Sequence, residues 1–257
     1  MIFRIITIAL ILFLTGCSSF RKADISNLEK FEIGISYFND KKYQKSKEIF
    51  NEILEDEQGT NTALESTYFL ARTLYELDEF DEASYNFNYF SMFSKDIEKV
   101  EFSQFMKSKC AFDQSLPYNK DQSLSLYAIS IIQEFLDNFP YSIYKDDAYN
   151  MIVDLRNRIG RKNFEAGRLY LKKKMYDSAL YYFDIIIDEF YDTIYYDEAL
   201  ISYIFSYIIM NEYDKGKSFF EMVKSNFKDQ KKLAEAEQIL KDYKDGLGIS
   251  GLYRLYK

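Results

Sequence analysis

Cys17, Cys110, the acid pairs Asp146-Asp147 and Asp197-Glu198, and the glycines of Gly246-Leu-Gly248-Ile-Ser-Gly251 are the residues of this 257-residue chain whose types and spacing bear on chemistry. A thiol serves as a nucleophile only beside an activating base, and the chain contains no His. The same absence excludes His triads, His metal sites and His acid–base relays. Two cysteines build neither a zinc cluster nor a disulfide scaffold, so no metal and no cofactor is expected. Cys110 reads as a small buried hydrophobe. Adjacent carboxylates are the minimum for a hydrolase, but both acid pairs fall where helices are expected to start, and the helix dipole favours acids there. The glycines have the GxGxxG spacing of dinucleotide sites, whose mechanism needs a strand before them and a helix after. Here a polar helix precedes them and the sequence stops six residues later, so they read as part of a flexible carboxy-terminal tail over 245–257. The net charge of −8 offers no concentrated basic face, which disfavours nucleic acid as a partner.

Cys17 stands in a context of its own. Met1–Arg4 carries one positive charge, Ile5–Leu14 is almost continuously apolar, and Leu14-Thr15-Gly16-Cys17 follows. An apolar run of about ten residues is half of what a bilayer span needs, and the small residues after it mark a secretory leader. The four residues resemble the bacterial lipobox. That resemblance implies that the Cys17 thiol receives a diacylglycerol, that residues 1–16 are removed, and that the new amino terminus is acylated. Several acyl chains on one residue exceed what stable anchoring requires. Ser18 in place of an acid implies the outer membrane, with residues 17–26 as a lipidated tether. Loss of Arg4 with the leader takes the net charge to −9.

What must position any further function is a repeated element. With two Pro and nine Gly, the composition argues against turn-rich β architecture and against linkers, and for an all-α chain. Gly34, Ala71, Gly167 and Ile204 are each followed twelve residues later by Ser46, Ala83, Ala179 and Gly216, and four residues after that by Phe50, Phe87, Phe183 and Phe220. Steps of 37 separate Gly34 from Ala71 and Gly167 from Ile204. Small residues allow two helices to cross closely, and an aromatic plugs the space beside the crossing. This pattern resembles the tetratricopeptide repeat, at its eighth, twentieth and twenty-fourth positions. A fifth unit, with Ala128, Ile132 and Pro140 at matching offsets, has its first helix near Glu101–Phe112 and an insertion over 113–122. Asp146–Lys174 reads as one long helix, and Lys231–Lys244 as a polar helix capping the stack. The expected fold is an all-α tetratricopeptide superhelix of about five helix pairs. Repeats one to three fall in 27–140, and the long helix, repeats four and five and the capping helix in 141–244.

Such arrays present motif positions five, nine and twelve to a concave face. Position five holds Phe31, Tyr68, Phe105, Phe164 and Ile201; position nine holds Ile35, Arg72, Lys109, Arg168 and Phe205. Position twelve holds Phe38, Tyr75, Phe112, Leu171 and Ile208. Over repeats one to three this is two aromatic rows with basic residues between them. One reading is a groove for an extended, aromatic-rich peptide with a carboxylate, whose charge pairs with Arg72 and Lys109. The other is that these aromatics pack on neighbouring helices while the cations form ordinary surface ion pairs.

The lipobox, the five repeats, the insertion Leu116-Pro-Tyr-Asn-Lys-Asp-Gln122 and the stretch Leu155-Arg-Asn-Arg-Ile159 together resemble the BamD/ComL family of β-barrel assembly lipoproteins. The resemblance covers nearly the whole chain after Cys17. It implies a non-enzymatic scaffold in the outer membrane, facing the periplasm. Its carboxy-terminal repeats would hold the periplasmic POTRA domains of a BamA-like barrel-forming assembly protein. Its amino-terminal repeats would receive targeting signals of unfolded outer-membrane precursors. Tyr207, Ile208 and Ile209 of repeat five are more apolar than the family pattern. A generic tetratricopeptide envelope lipoprotein, serving division or polysaccharide uptake, is the alternative.

Overall fold

The computed structural model describes residues 26–255, all helix and turn, with no strand among them. The leader, Cys17 and the tether as far as Ile25 lie outside the described residues. Two compact units divide at Leu77/Asp78. The first contains α1 (Asn27–Asn39), α2 (Tyr43–Asp56) and α3 (Asn61–Glu76). The second contains α4 (Phe80–Phe93), α5 (Ile97–Asp113), α6 (Ser123–Asn138), α7 (Lys145–Lys172), α8 (Tyr176–Glu189), α9 (Tyr196–Ile209), α10 (Tyr213–Val223), α11 (Gln230–Lys244) and α12 (Ile249–Leu255). Within each unit, consecutive helices pack on one another: α1 on α2 and α2 on α3; then α4 on α5 and onward through α9 on α10, with α11 also against α9. The fold is all-α, of tetratricopeptide type.

Four of the described helices start at side-chain caps. Ser26 accepts the Glu29 amide while the Glu29 carboxylate takes the Ser26 amide, a reciprocal capping box for α1. Thr60, Asp96 and Asp229 cap α3, α5 and α11 through their side-chain oxygens. The second helices of four repeats have no side-chain cap. They are instead entered through a tight turn whose pivot has positive φ: Lys41, Asp78, Lys174 and Asn211, at 58 to 62°. None of these is Gly. At Lys174 the turn is a Schellman motif, with Lys174 N donating to Leu171 O at 3.0 Å and Met175 N to Tyr170 O at 3.0 Å. A side chain in the left-handed region costs about 1 kcal/mol. Lys174→Gly is therefore expected to raise the free energy of unfolding by roughly 0.5–1 kcal/mol, measured by urea titration. A loss of stability would contradict this account of the turn.

The crossings follow from the small residues. A Cβ on Gly34 would stand 2.7 Å from the Phe50 ring, and one on Gly167 would stand 2.5 Å from Phe183. Both rings are fully buried. Each glycine thus gives its space to the aromatic sixteen residues on. Where Ser replaces the second small residue, its hydroxyl is satisfied: Ser46 Oγ donates to Gly34 O at 3.0 Å.

The carboxy terminus differs from a flexible tail. Gly246, at φ 95°, ends α11 in another Schellman turn, with Gly246 N donating to Tyr243 O and Leu247 N to Asp242 O. The chain reverses into α12, and Leu252 is completely buried. The glycine triplet is thus helix-ending and helix-entry chemistry. A seven-residue apolar segment after Gly carries no period long enough to declare a helix in sequence.

Candidate functional site

In the first unit, four of the expected groove residues, Phe31 and Phe38 of α1 and Tyr68 and Arg72 of α3, gather around one aromatic cluster. Phe31 packs on Phe50 and Phe69 at ring separations of 6.0 and 5.7 Å. Phe38 packs on Tyr43 and Phe69 at 5.6 and 6.0 Å. Phe69 is the hub, also stacking with Phe50 and meeting Tyr68 edge-on. It sits at motif position six, outside the groove positions, and the adjacent aromatic pair Tyr68-Phe69 is the signal that marks it. The Arg72 guanidinium lies over three rings, 4.7 Å from Phe38, 5.3 Å from Phe69 and 5.5 Å from Tyr68. The rings hold that cation in place through their quadrupoles. Phe31, Ile35, Phe38, Arg72 and Tyr75 are half-buried, whereas Tyr68 is buried. Tyr68 therefore supports Arg72 from beneath and offers little surface of its own.

In the second unit the third-repeat residues are more enclosed. Phe105 is 8% exposed, stacks on Tyr144 at 4.5 Å and meets Phe135 at a tilt, 5.7 Å away. Its ring fills the core between α5, α6 and the start of α7. The Lys109 ammonium pairs with Asp113 one turn on, at 3.2 Å. Phe112 is half-buried beneath the Arg158 guanidinium, 5.1 Å from its ring. Nearby, Cys110 is fully buried, and burial pushes its thiol up to about 12, so it remains protonated and inert at neutral pH.

The stretch Leu155–Ile159 is a clamp built on the extra turns of α7. Arg156 grips Asp192 with two hydrogen bonds of 2.6 Å and donates a third to the Glu189 carbonyl at 2.6 Å. Asn157 Oδ1 accepts the Ile194 amide at 3.1 Å. Arg158 reaches the other way, to Ser115 Oγ at 2.8 Å. Arg161 lies over the Tyr118 ring at 3.9 Å. The insertion is closed by Gln122, 5% exposed, whose amide donates to the Pro117 carbonyl at 2.9 Å while its carbonyl accepts from Ser125. α7 thus ties the insertion on one side to the α8–α9 turn on the other.

The Arg156 guanidinium beside Asp192 holds that carboxyl below its ordinary value of 3.8. A group whose value is lowered by folding contributes stability that is complete above the unfolded value and lost as pH falls through the folded one. Asp192 is 42% exposed, so the contribution is about 0.5–1 kcal/mol. Asp192→Asn is expected to melt about 2–4 °C lower at pH 7, with the two melting curves converging below pH ~4. A constant gap at all pH values would show that the carboxylate charge is not involved.

The acid pairs find structural roles. Asp146 and Asp147 lie in the first turn of α7, and Asp197 and Glu198 in that of α9. Asp197, 8% exposed, accepts the amides of Lys228 and Asp229 at 3.1 and 2.8 Å, and Glu198 pairs with Lys232 at 2.7 Å. Both bind the start of α11 to α9. Among the described residues no group of three or more acids and thiols is placed to hold a metal, and no helix is long and apolar enough to cross a membrane.

Helix pairs crossing at small residues and plugged by buried Phe define a tetratricopeptide-type scaffold, with a cation fixed on an aromatic face. The family described as YfiO, outer membrane lipoprotein, matches residues 23–218, and the chain belongs to that family. It is 25% identical over 239 residues to the outer membrane protein assembly factor BamD of Rickettsia prowazekii (strain Madrid E), an alignment covering 91% of this chain and 94% of that one. It is 23% identical over 143 residues to the protein of the same name from Caulobacter vibrioides, covering 56% and 47% of the two chains.

Proposed function

We propose that this chain is an assembly factor of outer-membrane β-barrel proteins, anchored in the outer membrane through acylated Cys17 and facing the periplasm. Repeats four and five hold the POTRA domains of a BamA-like assembly protein. Repeats one to three receive unfolded barrel precursors, through Phe31, Ile35, Phe38, Tyr68, Arg72 and Tyr75 on the first two and Phe105, Lys109 and Phe112 on the third. The observation that carries this reading is the alignment with a BamD assembly factor along 91% of the chain, rather than across a repeat or two. The Arg72 cluster adds chemistry suited to a precursor end: a fixed guanidinium for a carboxylate, beside half-buried rings for an aromatic side chain. Phe105 is enclosed, so Phe112 is the more accessible ring of the third repeat.

Affinity purification of the acylated chain from detergent-extracted envelopes is expected to bring down a POTRA-bearing barrel protein. Its absence would contradict the scaffold role. Arg72→Ala is expected to weaken binding of a peptide ending in an aromatic residue by about tenfold or more, as loss of a charge-assisted hydrogen bond predicts. Unchanged affinity in fluorescence titration would remove Arg72 from the site.

A further inference from the structure

The concave positions of repeats four and five are occupied by the chain itself. Arg168 and Leu171 on α7 and Ile201 and Phe205 on α9 line a cleft of about 80 Å³, closed by Ile239 of α11 and Tyr253 of α12. Lys172 and Ser202 complete the lining, and four of the eight residues are ones that the repeat pattern assigns to the groove. Leu252 is completely buried, and the Tyr253 ring meets Phe205 edge-on at 5.3 Å. α12 therefore sits as a bound peptide would, with one aliphatic and one aromatic side chain inserted.

Its attachment is slight. α12 has seven residues, below the length at which a helix holds itself together. It is joined through Gly246 and Gly248, where a Cβ would meet nothing within 4 Å, and Leu247 between them is the one side chain of the turn that packs on the core. It also lies beyond residues 23–218, the span that the family matches. Short terminal elements held by few side chains open at far lower cost than the core.

We propose that the concave face of repeats four and five is a peptide-binding groove held occupied by α12, and that it takes in trans a short helical segment presenting an aliphatic–aromatic pair like Leu252-Tyr253. The inference goes beyond the assembly reading and stands without it. A ligand in trans must displace α12, so its apparent affinity is reduced by the fraction of open chains.

The test uses a fluorescein-labelled peptide of residues 246–257 and the full mature chain, followed by fluorescence anisotropy. The L252A/Y253A chain, whose own helix no longer fills the groove, is expected to bind the peptide about tenfold or more tighter than the parent. A peptide carrying the same two substitutions is expected not to bind. Equal binding by the two chains, equal binding of the two peptides, or no saturable binding by a variant that melts like the parent would each overturn the proposal. Hydrogen exchange on the parent chain gives a second reading without any substitution. Amides of α12 are expected to exchange well before those of α9, and exchange of both only on global unfolding would overturn the proposal.

Discussion

Cys17→Ser is expected to remove the protein from the outer-membrane fraction, leaving it in the soluble periplasmic fraction where the leader is cut elsewhere and with the inner membrane where it stays attached. The physical reason is the size of the acyl contribution. Each buried methylene contributes about 0.8 kcal/mol, so two or three chains hold a protein against any dilution, whereas none leaves only its surface to interact with lipid. No described helix is long and apolar enough to cross a membrane. Fractionation of envelopes by density gradient, with labelled palmitate as a second readout, checks the outcome. Retention of the serine variant in the outer membrane would show that something other than the thiol anchors the chain.

The second large effect is at Phe183. Phe183→Ala is expected to lower the free energy of unfolding by about 3–5 kcal/mol, from lost burial plus the cavity left behind. Phe183 is fully buried, and its ring fills the space that Gly167 leaves open between α7 and α8. The backbone has no side chain at Gly167 with which to collapse into the gap, so the upper half of that range is expected. Domains of ordinary stability have about 5–15 kcal/mol in total, which makes this change enough to shift the melting temperature by roughly 10 °C. Tyr181, 62% exposed on the same helix, is the control, and its replacement by Ala is expected to cost under about 0.5 kcal/mol. Calorimetry on the three proteins decides the matter, and a loss below about 1 kcal/mol at Phe183 would contradict the crossing described here.

Much of the scaffold was legible because the crossings impose demands on residue type. Gly34 with Phe50 and Gly167 with Phe183 are needed in pairs, and the pairs recur in phase. The long helix was equally legible: α7 runs Lys145–Lys172, against an expected 146–174. The turns were not. Lys41, Asp78, Lys174 and Asn211 adopt a backbone region that sequence signals most plainly through Gly, and two lysines, an Asp and an Asn stand there instead. The candidate groove was half legible. Motif positions show which way a residue points, but not what the next helix places in front of it. Tyr144, from the start of α7, covers Phe105, and Arg158 covers Phe112. Phe69 escaped because it sits at motif position six, 37 residues after Glu32, and the repeat pattern assigns no groove role there. At the carboxy terminus, burial of Leu252 is tertiary information with no local trace.

The central claim is that the two ends of the repeat array receive different partners during barrel assembly. Photo-crosslinking in intact cells, from a benzoyl-phenylalanine placed at Phe38 and separately at Tyr207, tests it most directly. Both positions are half-buried, so the probe reaches a bound partner without entering the core. Barrel precursors captured from position 38 and the POTRA-bearing assembly protein captured from position 207 are the predicted result. Crosslinks to neither from either position would contradict the account.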